Sequence, residues 1–324
     1  HLPWFQSKGL FKNGIPVHDT IARIISGIKP EPFQAAFVRW TQAINQHTDG
    51  ALVAIDGKTL RSSYDREDRT STIHMVSAYA AANKLVLGQI KTDAKSNEIT
   101  AIPELLALLD IKGCLVSIDA MGCQTEIAET ILQQGGDYLL AVKGNQPKLF
   151  EAVRQALAPL AATPLCAETM TLEKAHGRID GREYHVMAAG ELAAQFPHWK
   201  QLHSIGVAIS YRVENMQKIT IEQRYFISSK ALVQDEFARA VRGHWAIENS
   251  LHWVLDVTMG EDDCPIYRGD AAEILACIRH MGLNMLRAET SRKASVRRKQ
   301  KIAGMSSEYL ETVLNAGLKK LGEI

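Results

Sequence analysis

The sequence lacks the features that define several classes of protein. Its five cysteines form no C-x-x-C pair, so neither a disulfide framework nor a structural zinc site is indicated, and a reduced, cytoplasmic protein is expected. No apolar run approaches the roughly 20 residues that a membrane-spanning helix needs, so we expect no membrane partner. Lysine and arginine total 37 against 36 acidic residues, so no charge of one sign dominates.

What is present is the composition of a globular protein. The 324 residues are 46% hydrophobic and 23% charged, which suits one large domain or two modest ones. The first residue is His1 rather than Met, which we interpret as a start within a longer gene product. Charge is also segregated, because residues 287–324 hold nine lysines and arginines against four acidic residues. A basic cluster there, with Arg297, Arg298 and Lys299, is either a solvated tail or a surface that contacts phosphates.

The order of predicted elements indicates an α/β fold. Residues 1–48 are typical of a short helical lead-in. Apolar runs then predict five strands and three helices in the order β-β-β-α-β-α-β-α, with strands at 51–55, 73–82, 85–92, 115–118 and 138–142 and helices at 99–110, 126–134 and 148–158. This order favours a mixed sheet covered by helices, as in RNase H-like folds.

A β-rich insertion interrupts this pattern before the last helices. Strand-like segments occur at 181–186, 203–213 and 218–228, and helical periodicity returns at 234–255 and 271–288. The predicted organisation is a lead-in at 1–48, a core at 49–164 and 233–290, an insertion at 165–232, and a basic C-terminal tail at 291–324.

Two aspartates follow buried strands in the same way. Asp56 and Asp119 each end a run of four or five apolar residues. Either residue alone could simply end a strand or cap a helix. Because ligand sites gather at strand ends in sheets flanked by helices, the pair favours a functional site.

A third carboxylate lies on an apolar helical stripe. At 100° per residue, Glu248 is expected on the same face as Phe237, Val241 and Leu251, where an unpaired carboxylate is costly. Arg242 could pair with it, or a bound cation could.

An alternative for Glu248 is the row His244, Glu248, His252 and Asp256, spaced four residues apart. This row could bind a metal by itself or form a ladder of ordinary side-chain pairs. If instead Asp56, Asp119 and Glu248 converge, carboxylates about 4 Å apart repel by about 4 kcal/mol at an effective dielectric near 20. Mg²⁺ or Mn²⁺ would offset that repulsion and could support phosphodiester cleavage.

Other motifs mainly exclude functions. Gly57-Lys58-Thr59 looks like the end of a phosphate-binding loop, but Leu52 stands where that loop needs a glycine, so an NTPase is excluded. Neither H-E-x-x-H nor G-x-S-x-G occurs, which argues against zinc-protease and serine-hydrolase chemistry. The loop at 143–146 is either a phosphate contact or a polar turn.

Seven strings of residues carry a resemblance to a known family. They are residues 54–61 (AIDGKTLR), 95–99 (KSNEI), 119–124 (DAMGCQ), 143–146 (KGNQ), 176–178 (HGR), 242–249 (RGHWAIEN) and 252–257 (HWVLDV). These strings closely resemble the H-repeat-associated proteins, a family of bacterial insertion-sequence transposases of the DDE type. The resemblance runs from about residue 13 to about residue 300.

The resemblance implies an RNase H-like catalytic core, with the β-rich insertion before the last catalytic helix. Carried over by position, the catalytic and metal-binding residues would be Asp56, Asp119 and Glu248, with Mg²⁺ or Mn²⁺ as cofactor. The candidate DNA contacts are Lys58, Lys143, Asn145, Gln146, His176, Arg178 and Arg242, together with the basic cluster of Arg297, Arg298 and Lys299. It also implies that residues 1–48 are a truncated N-terminal region.

The leading hypothesis is therefore a DDE-type DNA transposase, or its nuclease-competent remnant. It would perform metal-dependent phosphodiester cleavage and strand transfer at insertion-element ends. Its expected partners are double-stranded DNA of the ends and the target, and a second copy of the chain, in the bacterial cytoplasm at the nucleoid. The alternative is a DNA-binding, catalytically inactive transposase-derived protein. A different metal hydrolase, using the row from His244 to Asp256, is a third hypothesis.

Overall fold

The apolar run that precedes Asp56 forms the first strand, β1 (Leu52–Thr59). The computed structural model describes residues 1–45, 50–64, 72–92, 98–161, 171–175, 178–214 and 218–318. The chain divides into two units: unit 1 is His1–His47, Gly57–Leu109 and Ile247–Ile324, and unit 2 is Thr48–Asp56 and Asp110–Ala246. The boundary after Asp56 falls inside β1, so this strand contributes residues to both units.

Unit 2 contains a mixed sheet with the strand order β1-β4-β5-β9-β8-β7-β6. Strands β1, β4 and β5 are parallel, and β9, β8, β7 and β6 continue the sheet in antiparallel pairing. The strands after β1 are β4 (Leu115–Ile118), β5 (Asp137–Val142), β6 (Thr171–Ala175), β7 (Arg178–Ala188), β8 (Ser204–Glu214) and β9 (Lys218–Ser228). The predicted insertion is thus β-rich, as expected, and extends the core sheet of this unit.

Four helices accompany the strands of unit 2. They are α5 (Thr125–Gln133), α6 (Pro147–Ala161), α7 (Glu191–Gln195) and α8 (Gln234–Ile247). Helix α8 buries Phe237, Ala240 and Val241 in a cluster that includes Leu115 of β4, with Leu52 of β1 packed against it. Burying such side chains contributes roughly 1.5–3 kcal/mol each, so this cluster fixes α8 over β1 and β4.

Unit 1 contains most of the helices and one hairpin. Strands β2 (His74–Ala80) and β3 (Leu85–Thr92) pair antiparallel, and the order in this unit is β3-β2-β1. Its helices are α1 (Leu2–Ser7), α2 (His18–Ser26), α3 (Pro30–Ile44), α4 (Glu98–Leu108), α9 (Trp253–Met259), α10 (Ala271–Ala288), α11 (Val296–Met305) and α12 (Ser307–Leu318), with a π-helical turn at Glu248–His252. Helices α3, α4 and α10 contact β3.

Much of the expected tail is helical. Ser295 caps α11, because its hydroxyl accepts a hydrogen bond from the Arg298 amide. Tyr309 and Val313 of α12 pack with Leu286 of α10 in one apolar cluster. Residues 296–318 are therefore packed helices and not a solvated chain.

The expected fold class is confirmed: a mixed sheet flanked by helices, with the predicted order β-β-β-α-β-α-β-α from β1 to α6. Strand β6 was not predicted, and the helix expected at 234–255 is interrupted by the π-helical turn. Within the described ranges, no helix combines the length and apolarity needed to cross a bilayer.

Candidate active site

Asp56 and Asp119 each follow one member of a residue pair on neighbouring parallel strands. Ile55 of β1 pairs with Ile118, the last residue of β4. Asp56 continues β1, whereas Asp119 begins the loop after β4. Neighbouring strands lie about 4.8 Å apart, so the two residues lie beside each other along the sheet, and both are half-buried.

The loop after β4 is held in place by side-chain amides. The Oδ1 atom of Asp119 accepts a hydrogen bond from the Met121 amide at 3.0 Å. Asn145 Nδ2 donates to the Ala120 carbonyl at 2.6 Å. Gln146 Nε2 donates to a carbonyl of the same loop, that of Cys123, at 3.0 Å. Asn145 and Gln146, predicted as DNA contacts, thus support the loop that carries Asp119, while Lys143 beside them is exposed.

The one thiol in this loop is chemically quiet. Cys123 is fully buried, and its burial together with the nearby charge of Asp119 raises the pKa of Cys123 to about 12. At neutral pH it is a thiol and a poor nucleophile. Cys123 is therefore not a candidate nucleophile.

Helix α8 contacts the strand that leads to Asp119. His244 of α8 and Ser117 of β4 form a hydrogen bond of 2.9 Å between Nδ1 and Oγ. Ser117 is two residues before Asp119 in the sequence. Sequence analysis did not identify Ser117. The signal was available, because a polar residue at this position is two residues from an aspartate within a buried strand.

The predicted burial of Glu248 is wrong. Its side chain is 69% exposed, while Ile247 and Leu251 are buried. Glu248 is the first residue of the π-helical turn Glu248–His252, whose wider hydrogen-bond spacing breaks the 100° periodicity used to place it. Turns of this kind occur frequently at functional sites.

The row from His244 to Asp256, considered as a metal site or as a ladder of side-chain pairs, has contacts both within the row and outside it. His252 is buried, with Nδ1 3.7 Å from Glu248 Oε2. His244 bonds to Ser117, and Asp256 accepts a hydrogen bond from Lys58.

Arg242, one of the two partners considered for Glu248, forms an ion pair with Glu173. Arg242 Nη2 donates to Glu173 Oε1 at 2.9 Å. Both side chains are exposed, so this pair contributes little to stability.

The remaining candidate DNA contacts fall into three groups. Lys58 and Lys299 are held by groups of the chain itself: Lys58 by three carboxylates, Lys299 by backbone carbonyls and Glu289. Arg297 and Arg298 are exposed on α11. His176 lies outside the described residues, as do 95–97 of the KSNEI string, and only the backbone of Arg178 is described.

The donor chemistry fits a hard divalent cation. Asp56, Asp119 and Glu248 offer carboxylate oxygens, the ligands that Mg²⁺ and Mn²⁺ prefer. If the carboxylates of Asp56 and Asp119 approach each other, a bound cation would offset their repulsion. Carboxylate ligands on a mixed α/β sheet are the donor set that a metal-dependent nuclease needs.

Comparison with known families agrees with this class. The family described as Transposase DDE domain matches residues 47–285, and a family described as DDE_Tnp_1-associated matches residues 1–41. The chain belongs to the DDE transposase family. Membership implies DNA as macromolecular partner and a divalent metal ion as cofactor.

Individual relatives confirm the resemblance found in the sequence. The chain is 48% identical over 320 residues to "H repeat-associated putative transposase YhhI" of Escherichia coli (strain K12), covering 97% of this chain and 84% of that protein. It is 39% identical over 229 residues to "Uncharacterized protein in dhlA 3'region" of Xanthobacter autotrophicus, covering 70% and 76%. A solved structure, the piggyBac transposase synaptic complex with hairpin DNA, aligns with a TM-score of 0.48 and 12% identity over 94% of this chain and 60% of that one.

Proposed function

We propose that this chain is a metal-dependent DNA transposase that cleaves phosphodiester bonds at the ends of an insertion element and transfers the strand. The observation that supports the proposal is the pairing of Ile55 with Ile118, the residues that directly precede Asp56 and Asp119. In the proposed site, these two residues and Glu248 are the catalytic, metal-binding residues.

Asp56 and Asp119 would bind the ion from the sheet. The hydrogen bond from the Met121 amide orients one oxygen of Asp119 and leaves the other oxygen as a ligand. When bound, Mg²⁺ or Mn²⁺ would supply the positive charge that stabilises the phosphodiester and its leaving oxygen. Asn145 and Gln146 act through the loop, because their amides fix the backbone that follows Asp119.

Glu248 would complete the site from the helix. The hydrogen bond between His244 and Ser117 holds α8 against β4, and Ser117 precedes Asp119 by two residues. Glu248 follows His244 by four residues, about one helical turn or 5–6 Å along the axis. The π-helical turn that begins there exposes the carboxylate, which supports its role as the third ligand.

DNA would contact charged groups around this site. Lys143 is exposed in the loop that supports Asp119, and Arg297 and Arg298 are exposed on α11. Arg242 pairs with an exposed carboxylate, a weak interaction that a phosphate could replace. Such an enzyme would act on chromosomal DNA, so we expect it at the nucleoid, and a homodimer would bring one site to each element end.

The proposal is tested with labelled DNA that carries the terminal repeats of an H-repeat element. With Mn²⁺, the wild-type chain should nick this DNA, and Asp119→Asn and Glu248→Gln should lower the rate at least about 100-fold, as expected when a charge-stabilising group is lost. Asp110→Asn, an exposed aspartate of the same unit, is the matched control and should keep the wild-type rate.

Two results would contradict the proposal. Equal cleavage by wild type and Asp119→Asn would exclude the assigned site. DNA binding by the wild type with no metal-dependent cleavage would favour the catalytically inactive, DNA-binding alternative.

A further inference from the structure

We propose that Gly57-Lys58-Thr59 acts as a clamp that positions Asp56, by fixing both faces of β1 directly after that residue. We call these three residues the β1 clamp. They have no phosphate-loop role, because Leu52 replaces the glycine that such a loop needs. This inference depends on the proposed function of Asp56 as a metal ligand. Gly57, Lys58 and Thr59 are positioning residues.

One face of the clamp packs on a buried polar pair. His74 of β2 and Glu98 of α4 are 2% and 5% exposed and are hydrogen-bonded through His74 Nε2 and Glu98 Oε1. Thr59 Oγ1 forms a hydrogen bond of 2.9 Å with His74 Nδ1. Both ring nitrogens of His74 are thereby used, which fixes the ring beneath β1.

This pair explains why residue 57 is glycine. A Cβ atom at Gly57 would overlap Glu98 Oε1 and His74 Nε2 and would lie 2.7 Å from Glu98 Cδ. Real Cβ contacts do not reach such distances, so any larger residue must displace either the pair or the strand. The pair therefore limits where the backbone beside Asp56 can lie.

The opposite face of the clamp is fixed by charge. Lys58 Nζ donates to Asp256, to Glu261 Oε2 at 2.8 Å and to Asp262 Oδ1 at 3.1 Å. The Lys58 side chain is 11% exposed and that of Glu261 only 2%.

The Lys58 contacts also reach the helix that carries Glu248. Asp256 belongs to α9, which follows the π-helical turn directly. Its bond to Lys58 ties the end of β1 to this helix. Removing one partner from a buried charge cluster leaves uncompensated charge, so the cluster resists displacement of the strand. Alternation along β1 places Lys58 on the face of Asp56, and Gly57 and Thr59 on the other.

The test compares two substitutions with matched controls, at a temperature where circular dichroism shows every variant folded. Gly57→Ala is compared with Gly282→Ala, whose Cβ meets no atom within 4 Å. Lys58→Met is compared with Glu289→Gln, which removes charge from another buried cluster. Hydrogen exchange is measured on the amides of residues 53–56. We expect about tenfold faster exchange or more in both clamp variants, and rates within about twofold of wild type in both controls.

A second readout measures the consequence for the metal site. Mn²⁺ affinity, measured by calorimetry, should fall about tenfold in Gly57→Ala and not in Gly282→Ala. Lys58→Met is left out of this comparison because it frees three carboxylates that could bind Mn²⁺ themselves. Lys58→Arg keeps the charge and should restore slow exchange at residues 53–56 relative to Lys58→Met.

The two possible failures are distinguishable. The clamp proposal would be overturned if residues 53–56 exchange at the wild-type rate in both clamp variants while the melting temperatures fall as in Glu289→Gln. This outcome would hold whether or not the protein binds metal. Unchanged Mn²⁺ affinity in Gly57→Ala would also overturn it. A wild-type chain that binds no Mn²⁺ would instead contradict the proposed function, and the exchange rates would still decide the clamp. If Gly57→Ala does not fold, Thr59→Val removes one hydrogen bond of the clamp and replaces it in the exchange and Mn²⁺ measurements.

Discussion

Glu273 provides a stability prediction that depends on pH. This residue of α10 is 7% exposed, and the Gln34 amide donates a hydrogen bond to its carboxylate. Burial raises the pKa of Glu273 from 4.5 to about 7. Lys91 lowers this pKa, whereas Asp270 and Glu31 raise it, so burial decides the direction.

The sign of the effect follows from proton binding. Between pH 4.5 and 7 the native state holds a proton at Glu273 that the unfolded state has lost, so the free energy of unfolding falls as pH rises through this window. The full pKa difference corresponds to about 3 kcal/mol, which we reduce to about 2 kcal/mol because Glu273 borders a solvent-accessible cavity. Below pH 4.5 the carboxyl group is neutral in both states and the cost disappears.

Glu273→Gln removes the titrating group and keeps its shape. The variant should have a higher free energy of unfolding than wild type, measured by urea denaturation. This difference should be about 1.5 kcal/mol larger at pH 8 than at pH 5. Glu129→Gln, an exposed change on α5, should show no such growth. A gain for Glu273→Gln that is equal at both pH values, or larger at pH 5, would refute the reasoning.

Three further predictions concern the loop, the sheet and the basic surface. Asn145→Leu removes the amide that holds the loop after β4, so the cleavage rate should fall while the free energy of unfolding drops by only about 1 kcal/mol. Gly206→Ala places a Cβ atom 2.6 Å from Phe237 Cζ and should lower the free energy of unfolding by about 1–3 kcal/mol in urea denaturation. Neutralising Arg297 and Arg298 together should reduce the slope of log affinity for DNA against log salt by about 2 in a fluorescence titration.

Each of these predictions has a control and a contradicting result. Gln155→Leu, at an exposed position of α6, should leave the cleavage rate unchanged; an equal loss there would contradict the role of Asn145 in holding the loop. Gly304→Ala meets no neighbouring atom, and an equal destabilisation at that position would contradict the packing of α8. Neutralising Lys112 and Lys200, both exposed in unit 2, should keep the salt slope; an equal change would mean that general charge and not α11 contacts DNA.

The aspartates could be placed from sequence because their signal is local. Each follows a run of apolar residues, and neighbouring parallel strands bring such runs side by side. Asp119 directly follows β4, as predicted, whereas β1 continues past Asp56 to Thr59. Strand β3 has the bounds predicted for it, 85–92, because its apolar run and its flanking turn are both short-range features.

Glu248 and Lys58 show where local patterns stop being informative. The π-helical turn changes the helical phase at Glu248, so a fixed period of 100° per residue could not predict the exposure of this side chain. The partners of Lys58 lie about 200 residues further along the chain, so no window around residue 58 could reveal that its ammonium is enclosed by carboxylates. The need for glycine at residue 57 also comes from residues distant in sequence, the hydrogen-bonded pair of His74 and Glu98.

The proposed function depends on one metal site formed by Asp56, Asp119 and Glu248. The most direct measurement is the anomalous signal of Mn²⁺ in crystals soaked with MnCl₂. We expect a peak within coordination distance, about 2.0–2.4 Å, of carboxylate oxygens from all three residues. A Mn²⁺ peak bound instead along His244, His252 and Asp256, with Asp56 and Asp119 uncoordinated, would contradict it.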